Sequence, residues 1–406
     1  MHDLVIRDAR LRDGDVIDIA VSDGRIAVLG GAPDGHEVVQ ADGALVTPSF
    51  VDAHLHLDKV HTWDQADVTA RSSYAAGDMG AAAEAVERAS AVKASYDERT
   101  IARRAREVLL DGLRNGVTHV RAFADTDTRA GLRGVRPLLA LREELRGAVH
   151  VEVVAFPQDG VVRDPGAAEV VEEALRLGAD LVGGIPWIED TRDEAAAHVD
   201  RVFDLARRHD RDVAMLTDDA GDPGLRTTEL LAVAALEHGW VDRVTACHAR
   251  ALTLYPQPQL RRLLRVAARA GLAFVANPHT APLCLPVASV LDAGLAVALA
   301  QDDVADAYYP FGVHNLLEVA FIAAHVLDMT SPRDMDRLLD MITIHGARAL
   351  RLGRHEIAVG APAHLVVLDG ADVREVLRRH HPPRQVISHG VLRGAGSRGN
   401  GREPTA

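Results

Sequence analysis

Apolar and polar positions follow two different rhythms along this chain. Over roughly the first 45 residues, LVIRDARL and DVIDIAVSDGRIAVLG alternate apolar and polar side chains around Asp-Gly turn signals. This predicts short strands joined by tight turns. HLVVLDG from His364 and RQVISHGVLR from Arg384 read the same way. Neither end can bury much apolar surface alone. The two are therefore expected to pair into one small β-sandwich domain, built from residues 1–46 and 352–393. The tail 394–406, GAGSRGNGREPTA, is Gly-rich and polar and is expected to be disordered.

Between the ends the rhythm changes. Eight short apolar runs, LVTPSFVDAHLH, THVRAFAD, VHVEVVAFPQ, DLVGGIP, DVAMLTDD, RVTACHA, LAFVAN and AVALAQDD, alternate with helix-period segments such as ERTIARRAREVLLDGLRNG from Glu98 and AAEVVEEALRLGA from Ala167. Strand–helix alternation implies a parallel sheet, and eight repeats imply a closed (β/α)₈ TIM barrel, residues 47–351. Runs this continuously apolar belong to strands buried on both faces. The long interval between His56 and Arg103 is expected to place a loop over the barrel mouth.

Composition narrows the function. Aromatic residues are only 4% of the 406, so the core must be mainly Leu, Val, Ala and Ile. The net charge of −14, from 45 basic and 59 acidic residues, argues against a general nucleic-acid binder, which needs a basic footprint. Two cysteines, Cys247 and Cys284, make neither a disulfide framework nor a zinc ribbon. The first residues carry no secretory-type apolar stretch, and no uninterrupted apolar run is long enough for a membrane span. A cytoplasmic location and a small-molecule partner, with no nucleic acid and no membrane, are the expectations. The outer helices of such barrels often hold copies of a chain together, but no homo-oligomer face can be read here.

Chemistry in these barrels sits at the C-terminal strand ends. His54, His56, Asp125, Gln158, Asp218, Asp219, His248, Asn277, His279, Asp302 and Asp303 all fall there. His54-Leu55-His56 is the sharpest motif. Residues i and i+2 of a strand face the same way, so both imidazoles point together, at a separation a tetrahedral ion accepts. With Asp302 they make a two-histidine, one-carboxylate set, which suits zinc and also resembles the facial triad of non-haem iron proteins.

TPSFVDAHLHLDK resembles the first-strand signature of the amidohydrolase superfamily. VAFPQDG, EEALRLGADLVGGIP, VTACHA, FVANP and DDVADAYYPFG are similar to segments of its cytosine deaminase-like branch, in the right order from about Val46 to Arg351. The resemblance implies one divalent metal ion, zinc or iron, held by His54, His56 and Asp302. It implies that Asp302 also takes a proton from metal-activated water, that His248 polarises the substrate or steadies hydroxide, and that Gln158 hydrogen-bonds the substrate. The implied reaction is hydrolysis of a C–N bond, a deamination, on a small cyclic and nucleobase-like substrate.

Five positions depart from that pattern. The family's third metal histidine, on the fifth strand, falls at Leu216, and its proton-shuttling glutamate falls at Asp219. Phe123 stands where the second strand usually ends in a histidine, and Trp187 replaces the histidine of an I-P-H segment. Gln301 precedes Asp302 where a histidine is common. Leu216, Phe123 and Trp187 make the expected pocket more apolar. Trp187 and Phe123 are therefore read as substrate-binding, and His279 as a replacement imidazole or a solvent-facing loop residue. Several residues also have plain structural readings: Asp218 and Asp219 as helix caps, Asp303 as a partner orienting a ligand or a cap, Lys59 in a salt bridge with a carboxylate such as Asp58, Tyr308 and Tyr309 as packing, and Cys247 facing the barrel wall. The alternatives to deamination are different chemistry on a larger apolar substrate, or a non-catalytic ligand-binding barrel.

Overall fold

Pro48 divides the first apolar run in two. Upstream of it the chain forms β1 (His2–Arg10), β2 (Val16–Ser22), β3 (Arg25–Leu29), β4 (Gly35–Gln40) and β5 (Val46–Pro48); downstream, β6 (Phe50–Leu55) starts a second sheet. A proline cannot donate to a ladder, so it belongs at a strand end or sheet edge. β5 accordingly leaves the barrel and pairs with a C-terminal strand. These elements come from a computed structural model that describes residues 1–65 and 82–395.

The barrel continues through β7 (Val117–Asp125), β8 (His150–Phe156), β9 (Leu181–Gly184), β10 (Asp212–Thr217), β11 (Val244–His248), β12 (Ala273–Ala276) and β13 (Val297–Leu299). The eight strands β6 to β13 lie parallel in sequence order. Their connections carry helices α1 (Ala82–Ala89), α2 (Glu98–Arg114), α3 (Val135–Glu144), α4 (Ala167–Leu177), α5 (Arg192–His209), α6 (Thr227–Glu237), α7 (Gln257–Ala270) and α8 (Val287–Asp292). After β13 come α9 (Leu316–Val326), α10 (Pro332–Met341) and α11 (Ile344–Ala349). All eight expected strands are present, and α2 and α4 begin at the helix-period segments. Asp97 caps α2 by accepting from the Thr100 amide at 2.9 Å. Thr191 with Glu194, and Ser331 with Asp334, form capping boxes for α5 and α10.

All residues of β6, β7 and β11 are buried, as a sheet covered on one face by helices and filled on the other requires. Leu109, Leu138, Phe203 and Leu264 pack between strands and helices, whereas Phe123, Phe156, Leu216, Cys247 and Val275 belong to a separate inner cluster.

Closure occurs at one seam. The His56 amide donates to the Asp302 carbonyl, and the Asp302 amide to the His54 carbonyl, both at 2.8 Å, so that Leu55 and Asp302 bridge in parallel. The HxH motif and the eighth-strand aspartate are therefore brought together by the bonds that close the barrel.

The chain ends build two four-stranded sheets. β3-β2-β1-β4 contains one parallel pair, β1 with β4. β14 (Leu365–Val367), β15 (Gln385–Ser388) and β16 (Val391–Ala395) join β5 in an antiparallel sheet, with α12 (Val373–Arg379) between β14 and β15. Ile6, Ile19, Val46, Leu365 and Ile387 share one core between the two sheets, the expected sandwich. The expected loop over the mouth falls partly on residues 66–81, and the expected disordered tail mostly on residues 396–406; both stretches lie outside the described residues. No described helix is long and apolar enough to cross a membrane.

Candidate active site and metal centre

Three imidazoles converge on one carboxylate oxygen. Asp302 Oδ1 lies 3.1 Å from His54 Nε2, 3.8 Å from His56 Nε2 and 3.9 Å from His248 Nε2. The two Nε2 atoms of the HxH motif are 3.3 Å apart. Two donors each about 2.1 Å from a common ion, at tetrahedral angles, stand about 3.4 Å apart. His54, His56 and Asp302 match that spacing. His54, His248 and Asp302 also lie close enough to share an ion, as do His56, Asp302 and Asp303.

Electrostatics argue the same way. Burial opposes charge on His54, yet Cys247 and Asp302 push its pKa up to about 10. Burial together with Lys59 and His54 holds His56 well below the usual histidine range. Two adjacent rings thus move in opposite directions: the site accepts one positive charge between them and refuses a second. Burial alone would raise Asp302, but His248, His54 and His56 hold it well below the usual carboxylate range. Two imidazole nitrogens and a carboxylate oxygen this close together, with the carboxylate held ionised, fit a divalent ion.

The neighbours are divided. On one side Phe123 lies 4.0 Å from His54 and 5.6 Å from His56, centroid to centroid, with Phe156 5.5 Å from His56. Leu216 and Trp187 belong to the same inner cluster. The Trp187 indole N–H is buried without an acceptor among the described residues. Cys247 also belongs to this inner cluster, where a wall-facing side chain was expected.

On the other side stands Arg250, buried two residues beyond His248. Its Nη2 lies 3.0 Å from His248 Nδ1 and 2.7 Å from the Thr280 hydroxyl, and its Nε lies 3.1 Å from Asp219 Oδ1. Asp219 is 3.9 Å from His248 Nδ1. Burial pushes His248 down to about 4 even with Asp219 and Asp302 nearby. Asp218 turns away and accepts from the amides of Thr227 and Thr228 at 2.9 Å each, capping α6. His279 faces the Gln301 carbonyl at 2.9 Å through Nε2, next to Tyr309. Asp303 is raised well above the usual range by burial and by the neighbouring carboxylates of Asp302 and Asp306.

A second charged cluster adjoins the first. Lys59 donates to Asp125 at 2.9 Å and to Gln158, whose amide donates to Tyr308 at 2.9 Å. The partner of Lys59 is thus Asp125 and not Asp58, which instead accepts from Tyr96 and from the Asp125 amide. Lys93, just before α2, pairs with Asp125 at 3.3 Å, Asp159 at 2.8 Å and Asp127. Sequence reasoning passed over Arg250, Thr280 and Lys93. For Arg250 a signal existed, two positions past a strand-end histidine; for Lys93, inside the long unpatterned interval, there was none.

The profile of the amidohydrolase family matches residues 70–393. The chain is 31% identical over 372 residues to the N-isopropylammelide isopropyl amidohydrolase of Pseudomonas sp. (strain ADP), covering 90% of this chain and 91% of that protein. Among solved structures, the 5-methylcytosine deaminase of Klebsiella pneumoniae liganded with 5-fluorocytosine superposes with a TM-score of 0.88 at 31% identity, over 98% of this chain and 99% of the other. The N-isopropylammelide isopropylaminohydrolase of Burkholderia multivorans gives a TM-score of 0.88 at 29% identity with the same coverage.

Proposed function

This chain belongs to the amidohydrolase family, and on that premise we propose that it is a metal-dependent hydrolase that cleaves an exocyclic C–N bond of a small, planar nitrogen heterocycle. The observation that carries this reading is the convergence of three imidazole nitrogens on Asp302 Oδ1. His54, His56 and Asp302 would hold one divalent ion; nitrogen and oxygen donors in this ratio suit zinc and iron alike. Such an ion, when bound, lowers the pKa of water enough to supply hydroxide near neutral pH.

The chain's own residues do the remainder. Asp302, kept ionised by its imidazole neighbours, takes the proton of the attacking water. His248 steadies the oxygen that attacks or the charge that develops on the ring. Asp219, the carboxylate beside His248, carries a proton towards the leaving nitrogen. Phe123 and Trp187 give the ring an apolar wall, while Gln158 marks the polar end and His279 the opposite rim.

Leu216 and Phe123 in place of imidazoles favour an N-alkylamino ring over a compact aminopyrimidine. Release of amine from N-isopropylammelide, cytosine, 5-methylcytosine and pterin by zinc-supplied and iron-supplied protein tests this. The N-alkylamino ring is expected to be turned over at least about tenfold faster than cytosine, as apolar pockets discriminate by about that factor. Faster turnover of cytosine would overturn the preference; turnover of none by metal-loaded protein would favour a ligand-binding barrel.

A further inference from the structure

Among the described residues, the buried Arg250 is the one cation that touches His248, Asp219 and the hydrogen-bond chain to Asp302 together, and no assigned role accounts for it. A guanidinium only donates hydrogen bonds. With Nη2 at 3.0 Å, the Nδ1 atom of His248 must accept. A neutral imidazole that accepts at Nδ1 carries its proton on Nε2. Nε2 is the atom that faces Asp302 Oδ1, so His248 presents a donor there and has no lone pair left for an ion.

The same logic runs through Thr280. Its hydroxyl receives the Arg250 bond at 2.7 Å and must spend its own proton elsewhere. The nearer acceptor is Asp302 Oδ2 at 2.8 Å, against 3.2 Å for the Asn277 carbonyl. Oδ2 is tied off, and Oδ1 alone faces the imidazoles. Asp219 completes the arrangement, pinned to Nε at 3.1 Å.

The backbone is arranged to deliver this side chain. His248 and Ala249 both adopt left-handed conformations, with φ of 65° and 45°, which side chains seldom take. The turn is held by the Ala249 amide on the Thr217 carbonyl at 2.9 Å and the Ala251 amide on the Asp218 carbonyl at 2.8 Å. Backbone strain of this kind persists where the surroundings enforce it. Here it turns the chain at the strand end so that residues 248 and 250 both reach the site.

We infer that Arg250 is a positioning residue that fixes His248 as the Nε2–H tautomer and, through Thr280, turns Asp302 so that one oxygen serves the site. The inference rests on the proposed function for the use made of His248 and Asp302, but its geometry can be tested without a substrate. Full-length protein labelled with ¹⁵N in the histidine rings, supplied with zinc, reads the tautomer by NMR. The His248 signals are identified by their loss in His248→Gln. Wild type is expected to show an unprotonated Nδ1 and a protonated Nε2. Arg250→Met is expected to lose that signature and to lower kcat by roughly 10–100-fold, the usual cost of removing a partner that orients a site residue, with KM changed less than about threefold. Arg250→Lys, whose compact ammonium cannot reproduce the guanidinium's two hydrogen bonds and its ion pair with Asp219 together, is expected to restore neither.

A wild-type spectrum with the proton on Nδ1 would overturn the inference whether or not any variant folds, as would a tautomer unchanged in a folded Arg250→Met. Loss of the signature in a protein that neither binds zinc nor hydrolyses a ring would leave the positioning role standing and defeat the hydrolase reading. An unchanged tautomer in an active zinc protein would do the reverse.

Discussion

Asp302→Asn is expected to reduce hydrolysis by roughly 10²–10⁴-fold, the range lost when a positioned base is removed. The substitution preserves shape and leaves the seam intact, because closure uses the backbone amide and carbonyl of Asp302 and not its side chain. What disappears is charge. His54, His56 and His248 then face a neutral amide in place of the one carboxylate oxygen on which they converge. Initial rates of amine release from the best substrate, with a melting curve to verify folding, measure the effect. A folded Asp302→Asn protein within about threefold of wild type would remove the base from the mechanism, since the expected loss is two decades or more.

Lys93→Met is expected to cause the largest loss of stability. The side chain of Lys93 is 1% exposed and stands among Asp125, Asp127 and Asp159, the first two wholly buried. Breaking a buried ion pair from one side costs about 3–5 kcal/mol, because the remaining charge has no compensation. Asp125 keeps Lys59, but Asp127 and Asp159 lose the cation that balances them. The sign of the pH dependence follows. Without the lysine these carboxylates take protons more readily in the folded state than in the unfolded chain. The folded state then binds more protons between the two pKa values, so stability falls as pH rises through that interval. The deficit should be larger near about pH 8 than near about pH 5, and adding Asp127→Asn should recover part of it. Chemical denaturation at the two pH values checks this; an equal or larger deficit in acid would show that lost packing, not charge, is responsible.

Much of this was legible in the sequence for a physical reason. Parallel strands buried on both faces must be runs of apolar residues, so all eight could be read off. His54, His56 and Asp302 were legible because function in such a barrel is confined to strand ends. The sandwich was legible in its alternation, but the helix between β14 and β15 and the transfer of β5 out of the barrel were not, because both depend on which sheet offers an edge. Side-chain partners were the least legible. Lys59 lies next to Asp58 in sequence, but a buried ammonium takes the carboxylate its long stem can reach, and that is Asp125. Arg250 and Lys93 belong to no periodic pattern, and only the folded chain brings them to the carboxylates that need them. Leu216 reads as a lost ligand in the sequence. In the structure, the neighbouring strand-end histidine, His248, occupies the space beside Asp302.

His54, His56 and Asp302 are expected to hold one ion without an imidazole at position 216. Elemental analysis of the purified full-length protein, beside His54→Ala and Asp302→Ala, tests this most directly. One zinc or iron for each chain, absent from both variants, is the predicted result for a single mononuclear site. Wild-type protein that remains essentially metal-free after growth in added zinc and iron would contradict the account.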